Sequence, residues 1–228
     1  SARADRSQYA ENTGGRIVSK GFLITFEGID GAGKTTQLKN LGMYLQKQGF
    51  EVVTLREPGG TAISESIRDL LLDARNQIDP MAEALLYAAA RAQLVHDFVR
   101  PALERGTIIL ADRFIDSTIA YQGYGRGLDL GALAVINKLA AGGLEPDLTI
   151  LLDIPTSLAT ERRQGSAPDR LEQEGQEFQS RVRDGYLTLA RQLPRFRVVD
   201  GTLSTQQVTT VIREVVVGFL KGVDGIEN

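Results

Sequence analysis

From residue 22 onward the chain alternates short apolar runs with longer stretches in which apolar positions recur every three or four residues. The runs Phe22–Glu27 (FLITFE), Glu51–Leu55 (EVVTL), Thr107–Ala111 (TIILA), Asp147–Asp153 (DLTILLD) and Phe196–Asp200 (FRVVD) predict five strands. They are apolar without a polar-out alternation, the pattern of strands buried on both faces. Helical patterns cover Lys34–Gln48, closed by Gly49, then Ala62–Leu72, and Thr205–Leu220. Another starts at Asp79-Pro80, where Asp accepts the free N–H groups of a first turn and Pro has its φ preset, and is expected to run to about Phe98. Strands alternating with helices predict an α/β fold, a mostly parallel, doubly wound five-stranded sheet with helices on both faces.

Composition keeps that picture and narrows the chemistry. The 228 residues are 42% hydrophobic and 24% charged, ordinary values for a globular protein. A formal net charge of −3 and a pI near 5.4 give no reason to expect a partner among nucleic acids or anionic membranes. The absence of cysteine excludes disulfides, Cys–zinc sites and thiol catalysis. A single histidine, His96, excludes any two-His metal site and argues against a Ser-His-Asp hydrolase. No apolar run approaches the roughly 18 residues of a membrane-spanning helix, and a cytoplasmic protein is expected. Residues 1–20 are polar and aperiodic and read as a flexible tail, in part non-native, with a single domain over 21–228.

The most specific local signal is Gly28-Ile29-Asp30-Gly31-Ala32-Gly33-Lys34-Thr35, which fits G-x4-G-K-[ST] at every fixed position. A chance match in a chain of this length is on the order of one in a hundred. It also lies between a predicted strand and a predicted helix, as its mechanism requires. Glycines let backbone N–H groups turn toward a polyphosphate, and the helix dipole favours negative charge there. Lys34 is placed to reach the β- and γ-phosphates of ATP, and Thr35 to offer its hydroxyl to Mg²⁺. An acidic partner for the metal is expected at a strand end, where both Asp112 and Asp153 are candidates; Asp112 has the neighbouring cation Arg113.

Other features concern a second substrate. Asn137-Lys138-Leu139-Ala140 begins like the guanine-reading N-K-x-D but has Ala in place of the carboxylate, so it reads as a coincidence within a helix. Arginines at 56, 68, 91, 113, 126, 162, 163 and 170 favour two phosphorylated substrates over one. Tyr87 and Arg91 are four apart on a predicted helix and share a face. That face can stack and bond a base, although Tyr87 by itself reads as core.

Gly28–Thr36 (GIDGAGKTT), Arg56–Gly60 (REPGG), Asp112–Phe114 (DRF) with Ser117 and Ala120–Gln122 (AYQ), and Pro146–Asp153 (PDLTILLD) occur in this order in one chain. Over about residues 21–220 the sequence resembles the thymidylate kinase family, which transfers the γ-phosphoryl of ATP to thymidine monophosphate (dTMP). The resemblance implies that Gly28–Thr36 cradles ATP, that Asp30 accepts a bond from the dTMP sugar, and that Glu57 organises the acceptor and magnesium side. Arg68 and Arg113 would hold the dTMP phosphate. Tyr87 would stack on thymine with Arg91 at its edge, and Thr118, Tyr121 and Gln122 would line the nucleoside pocket, Tyr121 crowding a ribose 2′-hydroxyl.

Some members carry an arginine in the phosphate loop where this chain has Gly31. The bacterial type keeps glycine there and places arginines in a mobile lid, which the segment from Arg162-Arg163 to Asp169-Arg170-Leu171-Glu172 resembles, within about 155–175. Lys34, Arg113 and one of Arg162, Arg163 and Arg170 would then carry the chemistry. The resemblance also implies a homodimer. Alternatives are a P-loop kinase for another monophosphate or a deoxynucleoside, and a nucleotide-binding regulator; the retained Lys34, Thr35, Asp112 and lid arginines argue against the last.

Overall fold

The computed structural model describes residues 20–163 and 169–224. Nearly all of the expected tail, and the centre of the expected lid at 164–168, lie outside the described residues. β1 (Phe22–Glu27) leads into α1 (Lys34–Lys47), then β2 (Val52–Arg56), α2 (Ala62–Leu72) and α3 (Pro80–Leu94). A π-helical turn at Val95–Val99 joins α3 to α4 (Arg100–Glu104), ahead of β3 (Ile108–Asp112). The chain continues through α5 (Ile115–Thr118), a second π-helical turn (Ile119–Gly125), α6 (Leu130–Ala140), β4 (Leu148–Asp153) and α7 (Thr156–Arg162). It ends with α8 (Gly175–Gln192), β5 (Phe196–Asp200) and α9 (Thr205–Asp224).

The five strands form one sheet in the order β2-β3-β1-β4-β5, with every pairing parallel. All six residues of β1 are buried, which is why FLITFE shows no alternation. Phe22, Ile24 and Phe26 face a cluster completed by Leu38 and Leu41 of α1, Val182 of α8 and Ile212 of α9. Leu23, on the opposite face, joins Leu94, Val95, Val99 and Ile109. Apolar side chains on both faces hold the sheet between two helical layers.

Strand order decides where a ligand can go. The chain leaves β1 toward β2 and leaves β3 toward β4, so the connections diverge at the carboxyl ends of the adjacent strands β1 and β3. A crevice at such a switch point is the usual ligand site of an open parallel sheet. Here it is bounded by the loop after β1 and by Asp112-Arg113 after β3, with Phe26 paired to Asp112 in register. Among the described residues no helix is long and apolar enough to cross a membrane.

Candidate active site

The loop after β1 curls because its glycines have backbone angles that side chains resist: φ is +135° at Gly28 and +86° at Gly31. At Gly31 there is also no room, since a β-carbon there would stand 2.7 Å from the carbonyl oxygen of Ala159 in α7. The first turn of α1 has no side-chain cap, leaving its backbone N–H groups directed at the crevice. Lys34 is buried and folds back over the loop, donating to the carbonyls of Gly28 (3.0 Å) and Ile29 (3.2 Å). Burial, assisted by the Arg113 charge, lowers its pKa from the ordinary lysine value. Thr35 donates from Oγ1 to Asp112 Oδ2 at 2.7 Å. The other strand-end carboxylate, Asp153, is instead gripped by Arg183 of α8 at 2.7 and 2.9 Å.

The Thr35–Asp112 pair fits Mg²⁺ in its chemistry: both donors are hard oxygens beside a phosphate-binding loop. Among the described residues no group of three or more His, Cys, Asp or Glu side chains is placed to hold a metal. A site made of one carboxylate, one hydroxyl and substrate phosphate oxygens is the kind that suits Mg²⁺ rather than an all-protein cage.

Arg113 links this loop to a second compartment. It has φ +72°, a left-handed conformation rare for a non-glycine residue. Nη2 donates to Asp30 Oδ1 (2.6 Å) and Tyr121 OH (2.9 Å), and Nη1 to Gly28 O (3.0 Å), Ser117 Oγ (3.2 Å) and Tyr186 OH (3.0 Å). Asp30 also accepts from Tyr121 OH at 3.0 Å. Burial alone would raise the Asp30 carboxyl, but the charges of Arg113 and Lys34 override it and hold the group well below the usual carboxylate range.

Beyond Arg113 lies a cleft with about 570 Å³ of empty space. All the residues expected at the acceptor line it: Asp30, Glu57, Arg68, Tyr87, Arg91, Arg113, Thr118, Tyr121 and Gln122. Tyr87 is half-buried and also packs on the core, so its two sequence readings describe one position. Arg68 donates to Pro58 O at 3.0 Å. Arg91 is 2% exposed and is bound on every side: Nε to Glu57 Oε2 (2.8 Å), Nη1 to Thr118 Oγ1 (3.1 Å) and Asn137 Oδ1 (2.7 Å), Nη2 to Phe114 O (3.1 Å). It therefore ties the cleft wall together as well as facing it. Glu57 Oε1 is buried with no hydrogen-bond partner, and burial raises its carboxyl against the opposing charge of Arg91.

The three arginines expected in the lid stand in different surroundings. Arg162 donates to Gly201 O at 3.0 Å. Arg163 donates to Ala159 O at 3.2 Å, the carbonyl that closes on Gly31, and lies 3.6 Å from Glu172. Arg170 is buried, with Nε bonded to Leu71 O at 2.8 Å and Nη2 2.6 Å from Glu83. Glu83, fully buried on α3, also accepts from Gln122 (2.8 Å) and Arg126 (3.1 Å). His96 is 87% exposed beside Asp97, remote from these groups.

Sequence reasoning passed over Glu83, Asn137, Tyr186 and Glu27. Asn137, the first letter of the discounted NKLA, holds Arg91. Glu27 had one visible signal, a lone charge closing a wholly buried strand. It accepts from Phe114 N (2.8 Å), Ser117 Oγ (2.6 Å) and Tyr186 OH (2.7 Å).

Comparison with known proteins identifies the family. The family model described as thymidylate kinase matches residues 26–212. A thymidylate kinase of Caldanaerobacter subterraneus subsp. tengcongensis is 48% identical over 204 residues, covering 89% of this chain and 98% of that one. One from Pelotomaculum thermopropionicum is 50% identical over 211 residues, with coverage of 89% and 98%. The solved structure of thymidylate kinase from Ehrlichia chaffeensis superposes with a TM-score of 0.71 at 36% identity, covering 86% of this chain and 99% of its own.

Proposed function

Since the chain belongs to the thymidylate kinase family and transfers a phosphoryl group from ATP to dTMP, we propose that the two compartments joined by Arg113 divide that work between donor and acceptor. The observation that carries this division is the Arg113–Asp30 pair at 2.6 Å, in which a residue of the phosphate loop and a residue of the acceptor cleft form one unit. ATP phosphates lie on Gly28–Thr36, with Lys34 turned from the loop carbonyls to the β- and γ-oxygens. Thr35 and Asp112 would hold Mg²⁺, which would supply positive charge against the triphosphate. Arg68 and Arg113 hold the dTMP phosphate, Asp30 the sugar, and Tyr87 the thymine ring, while Arg91, Thr118 and Gln122 shape its edge and Tyr121 crowds any 2′-hydroxyl.

The attacking oxygen belongs to an ionised phosphate, so the transfer calls for no general base, in keeping with a cleft that contains no histidine. Catalysis is then positioning and charge stabilisation of two polyanions. Arg163, already bonded beside Gly31, and Arg162 are the cations we place on the migrating phosphoryl. Arg170, bound between Glu83 and Leu71 O, holds the cleft rim instead.

The reading carries with it a cytoplasmic enzyme working as a homodimer. Exposed apolar side chains support the dimer: Ile63 and Leu70 of α2, Leu85 of α3, and Val135 and Leu139 of α6, the last 76% exposed. These three helices pack in sequence, and their outer face suits a self-complementary contact. Sedimentation of the protein as a monomer at assay concentration would refute it.

The enzymatic test is ADP release with ATP–Mg²⁺ and dTMP, dUMP, dCMP, dGMP and dAMP in parallel. A 5-methyl group in an apolar slot is worth about 1–3 kcal/mol of discrimination, so dTMP should lead dUMP. Equal or better kcat/KM for dUMP, or preference for a purine, would overturn the substrate reading.

A further inference from the structure

We propose that Glu27 is a positioning residue for the acceptor phosphate: its negative charge sets the direction of the Ser117 and Tyr186 hydroxyls and, through them, the seat of the Arg113 guanidinium. The inference rests on the reading that Arg113 holds that phosphate. Glu27 is the last residue of β1, is fully buried, and touches neither the cleft nor Arg113 by any hydrogen bond of its own.

The argument is a matter of donors and acceptors. Glu27 Oε2 receives two hydroxyls, Ser117 Oγ at 2.6 Å and Tyr186 OH at 2.7 Å, while Oε1 receives Phe114 N at 2.8 Å. An ionised carboxylate only accepts, so it draws the hydroxyl hydrogens toward itself. Ser117 and Tyr186 then present lone pairs to Arg113 Nη1, which can only donate and stands 3.2 and 3.0 Å away. A neutral group at position 27 reverses this. The two hydroxyls lie 2.8 Å apart, so when a protonated acid or an amide donates to them one hydroxyl hydrogen can pass between them while the other is turned toward the guanidinium, donor against donor. Asp30 and Tyr121 keep their own hold on Nη2, so the guanidinium would pivot rather than leave the site.

The surroundings leave this carboxyl poised. Burial raises its pKa most, and the charge of Asp116 in α5 adds to it. Against these act Arg113, which follows β3, and the bonds from Ser117 and from Tyr186 of α8, and the pKa is pushed up to about 7. Lys34 of α1 and Arg195 ahead of β5 also face it. As pH falls through this value Glu27 gains a proton and loses the organising charge, so dTMP should bind more weakly on the acid side.

The test measures KM and kcat for dTMP from acid to alkaline pH in wild type and in Glu27→Gln, an amide of the same shape. In the variant at alkaline pH, KM should rise about tenfold, the scale of one hydrogen bond to a charged group, with a smaller change in kcat. The wild-type inflection in kcat/KM near neutrality should vanish in the variant, leaving only the one due to the dTMP phosphate, whose second ionisation lies at about pH 6. A wild-type KM in the variant, or an inflection that persists near neutrality, overturns the proposal. Should Glu27→Gln fail to fold, the Ser117→Ala/Tyr186→Phe double variant decides, a raised KM supporting the proposal and an unchanged one overturning it. If wild type prefers another monophosphate, the substrate reading fails, while the same comparison on that substrate still decides the role of Glu27.

Discussion

The compartments proposed for donor and acceptor sit side by side on one sheet but are made in different ways. The donor side is a contiguous loop whose binding groups are main-chain N–H donors released by glycine geometry, with Lys34 and Thr35 the next residues in line. The acceptor side brings together the loop after β2, α2, α3, α5 with the π-helical turn that follows it, and the segment before α8, fixed by buried ions. Arg91 binds Glu57, Thr118, Asn137 and Phe114 at once. Glu83 binds Gln122, Arg126 and Arg170. A main-chain site survives many side-chain changes, whereas a site of interlocked charges depends on each member, because a buried ion without its partner is costly.

Three experiments press on this difference. The largest effect is expected from Arg91→Ala, which strands Glu57 as an unpaired buried carboxylate. Removing one partner of such a pair costs about 3–5 kcal/mol, to be read by urea denaturation. A loss below about 1 kcal/mol, the scale of an exposed ion pair, would mean that the acceptor side is no more interlocked than the donor side. Part of the loss should be recovered below neutral pH, since Glu57 has a raised carboxyl that accepts a proton readily once Arg91 is gone.

Next comes Lys34→Ala. It removes one charge from a loop whose backbone remains, so the fold and the dTMP dissociation constant should stay while kcat falls by about 10²–10³, as for removal of one preorganised donor. Most of the activity surviving in a folded variant would place the donor chemistry entirely on the main chain. The smallest effect separates the three arginines expected in the lid. Arg162→Ala or Arg163→Ala should lower kcat by at least about tenfold, some 1.4 kcal/mol, with little change in dTMP binding, the signature of a contact made in the transition state. Arg170→Ala should instead raise the dTMP dissociation constant, because it loosens Glu83 and the rim carrying Gln122. The reverse pattern would return Arg170 to the chemistry.

The same contrast explains what the sequence makes visible. FLITFE and LTILLD are readable as strands because burial on both faces leaves runs that, up to the closing carboxylate, are apolar but for one threonine each, Thr25 and Thr149, which bond each other at 3.0 Å. β2 and β3 each lie one residue later than the apolar runs suggest, at Val52–Arg56 and Ile108–Asp112. The ladder extends to pair Arg56 with Asp112, and that final residue is polar because it faces Thr35, so hydropathy hides the strand end that chemistry uses. The helix expected to stop near Phe98 continues through a π-helical turn to Glu104, and Pro101, just past that turn, lies inside the continuous helix, where its missing N–H interrupts the ladder of helical bonds. The phosphate loop is legible because its function is written in consecutive residues. Glu83, Asn137 and Tyr186 are not, since their importance arises from partners 39, 46 and 73 positions distant in the chain. For Arg170, a motif gave the position of the residue but not its burial against Leu71 and Glu83.

Gly31 also bears on how such a protein can change over generations. The carbonyl of Ala159 occupies the space a β-carbon would need, and the backbone there is left-handed. A lineage with this architecture therefore cannot acquire a loop arginine by one substitution without first displacing α7, the helix that ends in Arg162 and is followed by Arg163. The step that would import a new cation therefore disturbs the old ones. The three nearest atoms of Ala159 are all main chain, so no change of side chain at 159 clears that space; only a shift of α7 does.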